Sequence, residues 1–592
     1  MMATHILGIN CYTHDASAAL LRDGAVVFAA AEERFSRVKK DNSFPRRAIQ
    51  TALTYAGIEF RDLDAVAFGW NRPGLTPLHT LRSALMGRIQ PSPRYTAGSL
   101  YGLIGELYHG NGLGALRWWF DHLPKERIYH IDHHEAHAWS TYALSGFDEA
   151  LVLVMDGRGA YQASTIYHGR GGRLTRLRVY PWPNSIGALY EAFTDLLGFE
   201  RHSDEWKVMG LAAYGRPTVP LHDCLRVTHT GYRVNGRVLC GRHPADIEPL
   251  VRRFGPRRDP ETHIAEADKD LAASVQKATE DAIVTLVREG IHLTGCRRLC
   301  LAGGVAMNSK ANGNLLASGL IDDIFIQPAA TDDGTAIGAA LGVYAARGQH
   351  VPRAVMEHVY LGPDCTDAEV EQALRSYKLP ATRVPDIAKV TARLLAQGFI
   401  VGWFQGRMEF GPRALGNRSI LADPRDARMK DRVNECVKFR EGWRPFAPAC
   451  LAEKAHEYFQ PAYPSPFMIL TFTVRPEKRA MIPAVTHADH SARVQTVERR
   501  VNPRFWALIA AFERLTGVPV VLNTSFNLRG EPIVCTPKDA IRTFYSSGLD
   551  FLALGDFLLA KDPDALRQAV TTGTAVDGVA FAADRPSLPT DP

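Results

Sequence analysis

Leu151-Val152-Leu153-Val154-Met155-Asp156-Gly157 is an apolar run closed by a carboxylate and a glycine. Such a run, bounded by a turn signal, reads as a buried strand with Asp156 presented on the turn beyond its end. Downstream come a loop over Asp156 to Tyr161, a second strand opening at Ala163-Ser164-Thr165, a Gly171-Gly172 turn and a third strand reaching Leu177. The same plan stands at the start of the chain. Ile6 to Asn10 reads as a strand, Cys11 to Asp15 as a polar loop, Ala16 to Leu21 as a strand, Arg22-Asp23-Gly24 as a turn and Ala25 to Ala31 as a strand. A strand, loop and hairpin used twice is what a two-lobed nucleotide-binding fold shows.

Upstream of the apolar run lies His133-His134-Glu135-Ala136-His137. A helix is expected over Ala136 to Leu144, and His133 and His137, four apart, then point from one face of its first turns. Two imidazoles there can share one metal, with Asp156 as a harder third ligand; the same spacing also fits capping or surface histidines. The zinc-protease helix motif is absent, because Glu135 follows His134 and the residue four beyond His134 is Ala138. A strand at Phe325-Ile326-Gln327-Pro328 leads into Thr331-Asp332-Asp333-Gly334, a strand-to-helix junction carrying two carboxylates. Asp332 can complete a set of two imidazoles and two carboxylates, which suits Fe(II), Mn(II) or Zn(II) better than copper(I) or Mg²⁺. His14, in the first loop, is a candidate general base because an unperturbed imidazole titrates near neutrality; a loop histidine bonding locally is the plainer reading.

The chain has 592 residues, 46% of them hydrophobic, which gives room for about two to four domains. Lys and Arg number 69 against 63 Asp and Glu, so the net +6 is too small and too spread to argue for a nucleic-acid or membrane partner. No cationic region followed by a long apolar core opens the sequence, and no uncharged apolar run of spanning length follows, so a cytoplasmic protein is expected. Nine cysteines without a Cys-x-x-Cys pair suggest reduced core residues rather than a disulfide framework or a structural zinc site.

Other segments carry charge on rigid backbone. Lys207 stands beside the glycine-bearing stretch Met209 to Gly215, where a ligand or backbone can come close. Arg298 to Ala302 is a strand running into Gly303-Gly304-Val305-Ala306-Met307-Asn308 and a helix start, the geometry that turns backbone N–H groups toward a phosphate. Residues 72 to 128 read as loops and short helices, a lid or a partner surface. Residues 217 to 265 look irregular, and Leu271 to Glu289 has a long helical period. A domain boundary is placed near 355, and from about 564 the chain loses apolar periodicity and reads as a loose tail. The second half holds Gly406 to Ser419 and Lys438 to Pro448, both rich in Arg and Lys between Gly and Pro. Arginines on rigid apolar loops are costly to bury unless they meet anions, with pairing to Glu409 and Glu441 as the competing reading. Arg493, among hydroxyl and amide groups, and Asn523-Thr524-Ser525, at a strand end, add donors suited to an amide or phosphate.

Taken in order, His14 to Leu20, His133 to Ser140, Asp156-Gly157, Lys207 to Gly215, Gly303 to Asn308, Asp332 to Ala340, Gly406 to Ser419, Arg444 to Pro448, Arg493 to Val497 and Asn523 to Val534 resemble the O-carbamoyltransferase family. The resemblance spans residues 6 to about 560. It implies a mixed α/β architecture: a duplicated Kae1-like domain of the actin-like ATPase fold over residues 1–355, a YrdC-like α/β domain over 356–565, and a tail over 566–592. It also implies two coupled reactions, formation of carbamoyl adenylate from carbamoyl phosphate and ATP, with Mg²⁺, and transfer of the carbamoyl group to a hydroxyl of a small-molecule acceptor, as in natural-product tailoring. By position, His133, His137, Asp156 and Asp332 would hold Fe(II) or another divalent transition metal, and His14 would be the base. Lys207, Gly210, Gly303, Gly304 and Asn308 would lie along the adenylate. Arg413, Arg418, Lys438, Arg444, Arg493, Asn523 and Ser525 would surround carbamoyl phosphate. Relatives commonly carry an acidic residue four positions after the aspartate matching Asp156, where this chain has Ala160. Threonylcarbamoyl-type transfer to tRNA and a non-catalytic nucleotide-sensing module are the competing readings, and the assembly is open between monomer and homodimer.

Overall fold

The computed structural model describes residues 3–11, 14–70, 123–239, 247–352 and 354–571, with isolated residues between 82 and 88. Most of the 72–128 segment therefore lies outside the described residues, as does 572–592. In the front half, His5–Asn10 pairs antiparallel with Ser17–Arg22, which pairs with Ala25–Ala31; on its other side it runs parallel to Ala65–Phe68, and that strand to Ile128–His130. A second sheet repeats the order. Glu149–Met155 carries the hairpin Gln162–Arg170 and Arg173–Pro181 on one side and the parallel strands Arg298–Ala302 and Asp323–Ile326 on the other. The duplicated plan read from the sequence is thus two five-stranded sheets of one topology.

The element that joins the two sheets is the helix Thr335–Ala346, whose sequence TAIGAALGVYAA is apolar on every side. A helix with no polar face has to be buried all round. It packs against the His5–Asn10 strand and against the helix His133–Tyr142, and residues 335–344 are all buried. Its small side chains set the approach distance. A Cβ added to Gly338 would lie 1.7 Å from the Ala136 carbonyl oxygen, and one added to Gly8 would lie 1.8 Å from that of Ala336. Burial of Ile337, Leu341 and Val343 contributes roughly 1.5–3 kcal/mol each.

The long helix Glu266–Thr294 covers the second sheet and extends beyond the expected period at both ends. Ala265 N–H bonds to the Asp268 carboxylate at its start, and Gly295 closes it in the left-handed conformation. Segment 217–265, expected to be irregular, contains a hairpin, Leu225–Thr228 with Gly231–Val234, and a helix, Glu248–Phe254. Its strands are four residues each, too short for a period-2 signal to emerge.

The back half is built on an eight-stranded mixed sheet in which Val401–Phe404, Arg418–Ala422, Val520–Ser525 and Ala447–Leu451 are consecutive neighbours. The helices Ile387–Ala396 and Pro503–Thr516 pack against one another, and a small three-stranded sheet includes Thr471–Val474 and Ser491–Arg493. Pro563–Thr571, expected to begin the loose tail, is a helix that buries Leu566. One buried core runs through both halves. Arginines reinforce the seam by donating to backbone carbonyls across it: Arg34 to Gly411, Arg37 to Pro532 and Ile533, and Arg407 to Val27. Charge-assisted bonds of this kind satisfy both the cation and the carbonyl where water is excluded. The described cysteines form no disulfide, and six of them are buried. No described helix is long and apolar enough to cross a membrane.

Gly338→Val should separate the central helix from Ala136 and lower stability by about 1–3 kcal/mol or more. Urea unfolding with the wild-type midpoint would contradict this packing account.

Candidate functional site

The helix bearing the histidines begins at His133 rather than Ala136, because Asp132 caps it by accepting from the Glu135 N–H. His133 and His137 therefore occupy its first and second turns and point together at the end of the Glu149–Met155 strand. Asp156 follows that strand directly, and Asp332 precedes the central helix. His133 Nε2 lies 3.2 Å from Asp156 Oδ2 and 3.5 Å from Asp332 Oδ1; His137 Nε2 lies 3.7 Å from Asp332 Oδ1. One ligand atom from each of the four residues falls within 4.8 Å of the others, and all four side chains are buried.

The surroundings fix these groups. His133 Nδ1 donates to the Gly69 carbonyl at 2.9 Å, which leaves Nε2 facing the cluster, and Trp70 stacks on the ring at 3.9 Å. The Gly304 N–H donates to Asp156 Oδ1. Neither ring nitrogen of His137 has a hydrogen-bond partner among the described residues. Burial alone would push the His133 imidazolium down, but Asp332 and Asp156 outweigh it and lift the group to about 10. Burial likewise opposes ionisation of Asp332, yet His14 and His133 hold it well below the usual carboxylate range. Two dry carboxylates thus demand a cation at this point, and the donor set fits a divalent transition metal.

His14 stands beside this cluster at the end of the first strand. Its Nδ1 is 2.9 Å from Asp15 Oδ2, and its Nε2 is 3.9 Å from Asp332 Oδ2. Asp15 adopts φ +61°, and Asn10 Nδ2 donates to the carbonyls of His14 and Asp15, which holds the turn. The His14 side chain is 40% exposed. It faces a cavity of about 650 Å³ that runs from Asp156 and Gly304 to the back half.

At the far end of that cavity stand Arg413, Lys438, Arg444, Arg493, Asn523 and Ser525. No hydrogen bond or ion pair of the Arg413 and Arg493 guanidinium groups occurs among the described residues, and the Nε of each is buried. Burial and the neighbouring Arg493 push Arg413 well below its ordinary range. Burial, Arg440 and Arg444 do the same to Lys438, whose ammonium donates to the carbonyl groups of Ser525 and Asn527. Cations packed so that each depresses the next form a receptor for an anion.

The nucleotide candidates lie between the two ends. Lys207 pairs with Asp204 at 2.9 Å and reaches Glu441 of the back half at 3.7 Å. Gly210 faces Trp443, 3.5 Å from where its Cβ would stand. Gly303 sits at φ +90° with no room for a side chain, its Cβ position being 2.2 Å from the Met155 carbonyl oxygen. Asn308 caps the helix Ser309–Ala317 and bonds to Gln276, so its side chain is occupied locally while it lines the cavity.

Arg418 departs from the expected anion set. It is fully buried away from the cavity wall, donates through Nη1 to the carbonyls of Gln405, Gly406 and Asn417, and stacks on Phe404 at 3.7 Å. The competing ion-pair reading holds for one loop: Glu441 pairs with Arg444 at 3.4 Å. Glu409 instead accepts the backbone N–H groups of Leu415, Asn417 and Arg418. Sequence reasoning missed Arg440, whose half-buried guanidinium is pushed down to about 8, chiefly by desolvation, and stacks on Phe446. It also missed Trp206, on which Arg444 stacks at 3.7 Å. Arg440 was visible in the Lys438 to Pro448 run, but nothing there separated it from its neighbours.

Comparison with known proteins agrees with this geometry. Residues 5–341 match the model of the carbamoyltransferase N-terminus, and residues 392–561 that of the carbamoyltransferase C-terminus. The chain is 41% identical to nodulation protein NolNO of Sinorhizobium fredii, over 93% of this chain and 80% of that protein. It is 44% identical to nodulation protein NolO of Bradyrhizobium diazoefficiens, over 74% of this chain and 80% of that one. An uncharacterized Synechocystis protein, sll1178, is 41% identical over 95% of this chain and 98% of its own. With both halves matched and one cavity joining a four-ligand cluster to a bank of cations, this chain belongs to the carbamoyltransferase family and is a carbamoyltransferase enzyme.

Proposed function

We propose that the enzyme is an ATP-dependent O-carbamoyltransferase acting on a hydroxylated small molecule. Water would release phosphate from carbamoyl phosphate, the carbamate oxygen would attack the α-phosphorus of ATP to form carbamoyl adenylate with release of pyrophosphate, and the adenylate would then give its carbamoyl group to an alcohol with release of AMP. The observation that carries this reading is the shared cavity, which has Arg413 and Arg493, without a hydrogen bond or ion pair among the described residues, at one end and His14 beside the His133, His137, Asp156, Asp332 cluster at the other. A carbamoyl group is a poor electrophile because its nitrogen donates into the carbonyl, and a phosphate ester on that carbon supplies a good leaving group.

Each part of the wall has a job in this scheme. Arg413 and Arg493 offer donors to the phosphate of carbamoyl phosphate, and Asn523 and Ser525 line the same end for its amide. Lys207 and the Gly303-Gly304 turn lie on the path of the nucleotide phosphate. His14, oriented through Nδ1 by Asp15, presents Nε2 to take the acceptor's hydroxyl proton. Asp332 chiefly lifts its pKa, with burial opposing and Asp15 adding, to about 10; a cation held by the cluster would offset the charge of Asp332 and bring the imidazole back toward the range in which it is neutral and can act as a base. A divalent ion such as Fe(II), bound by the four-residue cluster, supplies Lewis acidity toward an alcohol or carbonyl oxygen.

His14→Asn should leave pyrophosphate release intact and slow transfer to the acceptor by about 10²- to 10⁴-fold; loss of neither step would remove His14 from the base role. His137→Ala should abolish retention of the transition metal, read by elemental analysis of the purified protein, and transfer with it, while adenylate formation persists. Arg493→Gln should raise the KM for carbamoyl phosphate on the order of tenfold, as expected for loss of a charge-assisted bond, and an unchanged KM would place the donor elsewhere. Mass spectrometry across a panel of hydroxylated natural products tests the acceptor class through the gain of one carbamoyl group.

A further inference from the structure

Lys310 follows Asn308 by two residues, on the first turn of Ser309–Ala317, and lines the cavity. Its ammonium is ion-paired across the seam with Asp489 of the back half. Asp489 is held in place by Ser491, whose N–H and Oγ donate to Oδ1 at 3.1 and 2.6 Å. Burial would raise the Asp489 carboxyl, but Lys310 and Ser491 hold it at about 2, so it stays charged at working pH. Both side chains are partly open to the cavity, at 31% and 23% exposure. The neighbours on this wall are His487, which is pushed down to about 4 by burial and is therefore neutral, and the cation Arg493.

A half-exposed ion pair contributes little to stability. Its effect on ligands is larger. Without Asp489 this wall would be purely cationic and would hold the most highly charged phosphate most tightly. A fixed carboxylate beside the lysine repels each added negative charge on the ligand.

We propose that the Lys310–Asp489 pair is a charge filter for the nucleotide phosphate. Lys310 binds the phosphate group, and Asp489 weakens a dianion relative to a monoanion. This rests on the adenylate reading: the phosphate of an acyl adenylate carries one charge, whereas AMP carries nearly two at neutral pH. The filter favours the intermediate over the product and speeds AMP release.

The test is calorimetric titration of the full-length enzyme with AMP and with the methyl ester of AMP, which is a monoanion. Asp489→Asn is expected to tighten AMP on the order of tenfold and the ester by a smaller factor. Lys310→Gln is expected to weaken both and to leave adenosine, which has no phosphate, unaffected. Equal or weaker AMP binding by Asp489→Asn, in protein that melts like wild type, would reduce Asp489 to a bracket between the halves and overturn the filter. Should that variant fail to fold, wild-type AMP affinity in Lys310→Gln overturns it instead. Wild-type enzyme that binds neither nucleotide overturns the adenylate reading and the filter together, whereas failure confined to the variants leaves the adenylate reading standing.

Discussion

Two carboxylates, Asp156 and Asp332, are held in a dry pocket with His133 and His137, and much of the front half serves to keep them there. Like charges removed from water are stable only when a cation is shared between them. The fold supplies the location through one strand end and two helix starts, each from a different part of the chain. The apolar helix Thr335–Ala346 then fixes the spacing, because Gly8 and Gly338 let backbone meet backbone where any side chain would intervene. The cluster is therefore as rigid as the core around it.

The opposite end of the cavity obeys the complementary rule. Arg413, Arg493, Lys438 and Arg440 crowd together with their charges mutually opposed. Such a wall is satisfied in part by carbonyl groups, as at Lys438, and otherwise only by a bound anion. Between the two ends, pairs such as Lys207 with Glu441 and Arg444 with Glu441 cross or border the seam. A negatively charged ligand entering there meets cations already matched to carboxylates, and binding becomes an exchange of partners rather than simple attraction.

Docking of the halves uses another set of arginines. Arg34 and Arg37, in the segment that ends the first hairpin, donate into the back half. Their carbonyl partners belong to loops around Gly411 and Pro532, whose neighbours Arg413 and Asn527 line the cavity. The seam and the anion wall are thus one piece of structure, so a change in either shifts the other.

How much of this could be read in advance depended on range. The alternating and apolar strands, the repeated hairpin, the Asp156-Gly157 turn and the residue types of the four-ligand cluster were legible, since each is a local pattern of period or spacing. Arg418 was not, because an arginine bound to three carbonyls in a core and one aimed at an anion have the same local sequence. Asn308 both caps its helix and lines the cavity, and a capping position has the same local sequence whether or not it also faces a ligand. Arg440, Trp206 and the pairing of Lys310 with Asp489 were out of reach, as their partners lie on other elements. The sequence alone determined which groups could do chemistry and where strands and helices begin. Only the tertiary structure decided which cations face one another without a counter-charge, because burial and through-space distance, unlike periodicity, are properties of the packed chain.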